Sequence, residues 1–156
     1  PAGGGGNPSA RSVFAANESP TASATTTLVH PSLLFLLATG VPYAFRFNVP
    51  WRCRSQTVGL RLGLTFPATI SCCINAEVIT AAAGTAAFFT GQIDHTGVLI
   101  TSTSAPTGLN NVGFVEGSIM VSAPGTMHVI YAAEAATASS GPNIQAGATG
   151  IIWAFA

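Results

Sequence analysis

Tyr43-Ala44-Phe45-Arg46-Phe47-Asn48-Val49-Pro50-Trp51 and, a few residues on, Val58-Gly59-Leu60-Arg61-Leu62-Gly63-Leu64-Thr65-Phe66 decide the fold class. Each run alternates for nine residues. Tyr43, Phe45, Phe47, Val49 and Trp51 fall on one side of the first, and Val58, Leu60, Leu62, Leu64 and Phe66 on one side of the second. Successive side chains of a strand point to opposite faces, so a period of two marks a strand with one buried and one open face. Arg46 and Arg61 then stand on the non-core faces of adjacent candidate strands.

Further short strands are predicted outward from this pair. Ile70–Thr80 is rich in Ile, Val and Cys, Ala86–Ile93 holds Phe88-Phe89, and Val98–Thr103 is β-branched. Val112–Val121 places Val115, Gly117, Ile119 and Val121 on one side. It leads through Ala123-Pro124-Gly125 into Thr126–Ala133, a pair expected to form a hairpin. Ile144–Ala148 and Gly150–Phe155 close the chain. Turn signals recur between these segments, at Gly40-Val41-Pro42, His95-Thr96-Gly97 and Ser139-Ser140-Gly141-Pro142-Asn143 among others. No segment carries helical periodicity with caps, including the Ala-rich Ala81–Ala83 and Tyr131–Ala136. Many short strands at this spacing imply an all-β, antiparallel sandwich or barrel.

Residues 1–27 differ from the rest. Gly3–Gly6, Pro8, Pro20 and Thr25-Thr26-Thr27 leave Val13-Phe14 as the apolar anchor. Such a stretch cannot bury enough apolar area to fold alone. The expected organisation is an extended arm over 1–27, either a loose tail or an arm ordered against a partner subunit with Phe14 docked, followed by one sandwich domain over 28–156.

Composition narrows the function classes. Charged residues are 6% of 156, with five Arg, five acids, no Lys and a net charge of zero, against roughly 25% charged in an ordinary domain. A neutral surface of this kind favours association and excludes a basic nucleic-acid binder. The densest apolar run, Leu33–Ala38, is far shorter than the ~20 residues of a membrane-spanning helix. Cys53 and the vicinal Cys72-Cys73 have neither disulfide-framework nor zinc spacing, and at most one of the vicinal pair faces the core.

The sites are few. Asp94-His95 is the one adjacent acid–imidazole pair, but no nucleophile elbow places Ser102 or Ser104 beside it, so no catalytic residue is assigned. His30, His95 and His128, with Glu77 or Cys72, lack metal-ligand spacing, so neither a metal nor a cofactor is expected. Gly3–Gly6 is no phosphate loop. Trp51, Arg52 and Arg54, together with Arg11 and Phe14 of the arm, are the candidate subunit contacts, because Arg and aromatic residues such as Trp are enriched at interfaces. With charge so scarce, Arg46 or Arg61 is expected to pair with Glu77, Glu116 or Glu134.

The stretches Tyr43–Val49, Gly59–Thr65, Phe114-Val115-Glu116-Gly117-Ser118-Ile119-Met120 and Gly125–Glu134, followed by Ile144–Ala148, resemble the β-sandwich domains of tailed-bacteriophage virion proteins. Those are decoration (cement) proteins, head fibres and distal tail modules. The resemblance covers 28–156 and transfers no functional residue. It implies a jelly-roll or tumour-necrosis-factor-like sandwich, commonly a homotrimer. It further implies a non-enzymatic virion protein, assembled in the host cytoplasm, that binds the major capsid protein or other virion proteins, and neither nucleic acid nor membrane. The leading reading is a capsid decoration protein. The alternative is a fibre or tail-tip module holding a receptor or glycan through loops such as Asp94-His95 and Asn110-Asn111. A secreted hydrolase or lectin-like enzyme has the least support.

Overall fold

In a computed structural model the chain is described over residues 9–82, 85–102, 110–137 and 140–155. Eleven strands are present: β1 (Ser9–Phe14), β2 (Leu28–Leu37), β3 (Pro42–Cys53), β4 (Leu60–Thr65), β5 (Thr69–Ala82), β6 (Thr85–Ile93), β7 (Leu99–Thr101), β8 (Asn111–Val121), β9 (Gly125–Ala133), β10 (Pro142–Ile144) and β11 (Thr149–Ala154), with no helix among the described residues. They form two antiparallel sheets packed as a sandwich. The larger has the order β1-β11-β3-β8-β5-β6, with β10 beside the far end of β3, and the smaller the order β2-β9-β4-β7.

The two alternating runs behave as read. Tyr43, Phe45, Phe47, Val49 and Trp51 of β3 and Val58, Leu60, Leu62, Leu64 and Phe66 along β4 are all buried. They meet across the sandwich with Leu33, Phe35, Met127 and Tyr131 in one core. Phe47 lies 5.3 Å from Phe35 and 6.0 Å from Phe45, centroid to centroid, in tilted pairs. β3 and β4 belong to different sheets, however, so Arg46 and Arg61 lie on opposite outer faces of the molecule rather than on neighbouring strands.

The expected β8–β9 hairpin is also corrected. Ser122-Ala123-Pro124 carries the chain from the larger sheet to the smaller, with β8 between β3 and β5 and β9 between β2 and β4. A Pro-Gly turn reverses the chain whether or not its two strands share a ladder, and here the buried faces of both strands are satisfied only across the sandwich.

Pro50 sits in the middle of β3 without breaking the sheet. β11 pairs with Tyr43–Asn48 and β10 with Trp51–Cys53, so the missing N–H falls in the gap between them. The Pro50 carbonyl accepts from the Gln145 N–H, and Gly147, at φ +93°, turns the chain from β10 into β11.

Residues 9–22 run along the edge of the larger sheet of the same chain, and 23–25 cross to the smaller sheet, where the Ala24 carbonyl accepts from the Ala133 N–H and the Thr25 carbonyl from Arg61. β1 pairs with β11 from Ser9↔Ala154 to Phe14↔Thr149. Beyond it the N–H groups of Ala15, Ser19 and Ala22 donate to the carbonyls of Ala148, Ile144 and Pro142. Backbone hydrogen bonds thus hold a segment that has little apolar surface of its own. The Ala22 carbonyl approaches Gly141 where a Cβ would stand, which only glycine allows.

Candidate interaction faces

The outer face of the larger sheet follows from its register. Phe14, Thr149, Asn48, Phe114, Glu77 and Thr90 form one row across six strands, and Ser12, Ile151, Arg46, Glu116, Asn75 and Gln92 the next. A third row, Pro50, Val112, Ile79 and Phe88, has no polar side chain. Of the twelve positions in the first two rows only Glu77, Arg46 and Glu116 are charged, and two of those neutralise each other. The Arg46 Nε lies 3.4 Å from a Glu116 carboxylate oxygen, and its guanidinium sits 4.8 Å over the Phe114 ring. This is one of the pairings expected of Arg46 or Arg61 with Glu77, Glu116 or Glu134. A groove of about 320 Å³ runs along this face, lined by Asn75, Glu77, Thr90, Gln92, Phe114 and Glu116.

Four of the candidate subunit contacts have solvent access. Phe14 is 61% exposed at the rim of this face. Arg52 pairs with Glu18 at 3.2 Å, and Glu18 also accepts from the Asn143 amide at 3.0 Å. Arg54 is exposed just past β3, and Arg11 donates to the Leu36 carbonyl at 2.8 Å, tying β1 to β2 of the other sheet. Trp51 is corrected: it is 0% exposed in the core and offers nothing to another subunit. Its alternation with Val49 and Phe47 outweighs the general enrichment of Trp at interfaces. Sequence reasoning missed Phe114, Ile151, Trp153 and Phe88, which are the outward half of the same alternation that revealed the core.

The outer face of the smaller sheet is different. Its rows are Leu34, His128 and Thr65; Val29, Ile130, Gly63 and Leu99; and Ala132, Arg61 and Thr101. Ile130 and Ala132 are 3% and 0% exposed although they point outward. A Cβ at Gly63 would strike the Val98 carbonyl, and one at Gly59 the Ser102 carbonyl. Arg61 donates to the Thr25 carbonyl and has no carboxylate partner among the described residues. At the edge, β2 bulges between Val29 and Leu34. There the buried His30 accepts at Nδ1 from the N–H groups of Ser32 and Leu33, both at 3.2 Å. That arrangement requires a neutral ring with its proton on Nε2, and burial lowers the His30 pKa below the ordinary histidine value.

The residues considered for chemistry do not converge. Asp94 and His95 bond to each other on an exposed turn. Ser102 is fully buried, and its hydroxyl bonds the backbone N–H and carbonyl of Leu60, away from that pair. Ser104 lies outside the described residues. Among the described residues no three His, Cys, Asp or Glu side chains gather as a metal site. Cys72 packs partly against the core and Cys73 is exposed, as alternation requires, while burial pushes the Cys53 thiol up.

No protein-family model and no curated protein matches the sequence. Solved structures do match in fold. One is the crystal structure of the infectious bursal disease virus VP2 subviral particle, at TM-score 0.54 and 8% identity, over 97% of this chain and 34% of that one. Another is the D431N mutant VP2 protein of the same virus in T=1 particles, at TM-score 0.52 and 10% identity, over 95% and 32%. The chain therefore spans about a third of the VP2 chains it resembles. At this identity the likeness is one of fold: the chain has the β-sandwich architecture found in a viral capsid protein.

Proposed function

We propose that the chain is a non-enzymatic structural component of a virion, and that within this class it acts as a capsid decoration or cement protein. The observation that carries the reading is the outer face of the larger sheet, which is six strands wide, nearly uncharged, and set with Phe14, Phe114, Ile151, Trp153 and Phe88. A broad face of that composition is better matched to another protein surface than to water. The fold it shares with VP2 of infectious bursal disease virus supports the virion setting. The tailed-phage setting rests on residue pattern alone.

In this reading the sandwich lies across joints between capsid subunits, with the larger sheet against the shell. Binding the assembled shell and not its separated parts stabilises the shell by mass action. Ile151→Asp places a charge on the outward side of β11, opposite Arg46, and leaves the core untouched. Purified chain added to stripped particles should restore occupancy, and the variant should fail to, with unchanged thermal unfolding. Equal occupancy by the variant would overturn the assignment of this face. Closed shells formed by the chain alone would make it a shell-building subunit instead.

A further inference from the structure

A sandwich of two open sheets has four edges, and three of them here are guarded against pairing with another chain. β1 carries Arg11, whose side chain is tied to Leu36 of the other sheet. β2 is interrupted by the bulge at His30–Leu33, which contains Pro31, and β7 is three residues long. Short edges, bulges, prolines and charges are the usual protections. β6 has none of them. Its nine residues, Thr85-Ala86-Ala87-Phe88-Phe89-Thr90-Gly91-Gln92-Ile93, contain no charge and no proline, and pair with β5 without a register shift. Among the described residues no backbone hydrogen bond leaves the other side of β6. Ala86, Ala87 and Phe88 are all exposed, so both faces of the strand stand clear there, and Phe88 is 63% exposed.

We propose that two copies of the chain pair antiparallel through β6 about a two-fold axis, joining their larger sheets into one. The register that pairs all nine residues centres on Phe89. Even-numbered residues then face even-numbered ones, so the outer faces of the two sheets are continuous, with Phe88 opposite Thr90 of the partner subunit. An uncharged strand brings no like charges together, and aromatic–β-branched pairs stabilise an antiparallel ladder. The other segments of this chain with no described structure are poorer occupants: residues 1–8 hold Pro1, Pro8 and four glycines, and 103–109 holds Pro106 and Gly108. An isologous contact of this kind gives a dimer, not the trimer that the family resemblance implies.

Sedimentation equilibrium of the full chain, without any particle present, tests the pairing. The wild type should self-associate as a dimer. Phe88→Lys and Thr90→Glu should each weaken the dimer about tenfold, since each site occurs twice across the axis. The double variant should regain most of the affinity, because the introduced lysine lies opposite the introduced glutamate, and far-UV circular dichroism should be the same in all four proteins. A wild type that stays monomeric overturns the proposal, as it would if 103–109 of the same chain covered the edge. Self-association untouched by the single changes, or a double variant no tighter than either, overturns it equally.

Discussion

The two sheets share one core, yet their outer faces are built differently. On the larger sheet the outward positions of β3, β8, β5 and β11 are open to solvent, low in charge and partly aromatic. On the smaller sheet the outward Ile130 and Ala132 are buried by the chain itself, and glycines at 59 and 63 make room for the carbonyls of Ser102 and Val98. The smaller sheet has spent its outer face on stability, whereas the larger has kept its own available. Outward position in a strand therefore does not define surface; what the rest of the chain lays over the strand does.

Apolar-to-polar substitutions on the two faces should separate sharply. Ile130→Asp buries an unpaired charge and should cost about 4 kcal/mol or more, enough to prevent folding. Phe14→Ser on the larger sheet should stay within about 0.5 kcal/mol, both read from chemical denaturation. If Ile130→Asp proved mild, the smaller sheet's outer face would be open after all. Next in size is Gly63→Ala, whose methyl group meets backbone rather than a flexible side chain. A loss of about 2–3 kcal/mol in the same measurement is expected. The third test is pH. His30 is neutral in the fold and its pKa is lowered by burial, so folded and unfolded chains bind the same protons there above pH 6.5, the ordinary value. Below that the unfolded chain takes the proton first, and stability falls with pH until the folded-state value is passed, at no more than about 1.4 kcal/mol per pH unit. His30→Asn keeps an acceptor for the bulge and should flatten that slope; an unchanged acid profile would count against the role of the ring. The smallest effect belongs to the larger sheet. Arg46 and Glu116 are each about half exposed, so Glu116→Gln should shift stability by no more than about 0.5 kcal/mol, and less at high salt.

The core was legible wherever one face of a strand is buried and the other is not, as in β3 and β4. It was less legible in β9, where Val129–Ala133 are buried on both faces and the alternation vanishes. β1 escaped the reading because Arg11-Ser12-Val13-Phe14 gains strand structure only from β11, at the opposite end of the sequence. The partition into two sheets was illegible at Pro124-Gly125, since that turn chemistry serves both a hairpin and a crossing. The candidate face was half legible: its residues were visible one strand at a time, but rows such as Phe14–Thr149–Asn48–Phe114 exist only once the register is known. Trp51 shows the opposite error, a residue-type preference set above a positional pattern that already placed it inside.

The strand order of the larger sheet has a consequence for how the protein forms. β1, at residues 9–14, pairs with β11, which lies at residues 149–154 and separates it from β3. Until β11 is in place β1 thus has no ladder partner, and one side of β3 stays bare from Tyr43 to Asn48. Folding of this sheet is therefore dominated by distant pairings, a topology associated with times of milliseconds to seconds. In that interval the bare side of β3 and the uncharged strand at 85–93 are exposed together, which makes high expression the condition under which this chain is most prone to aggregate.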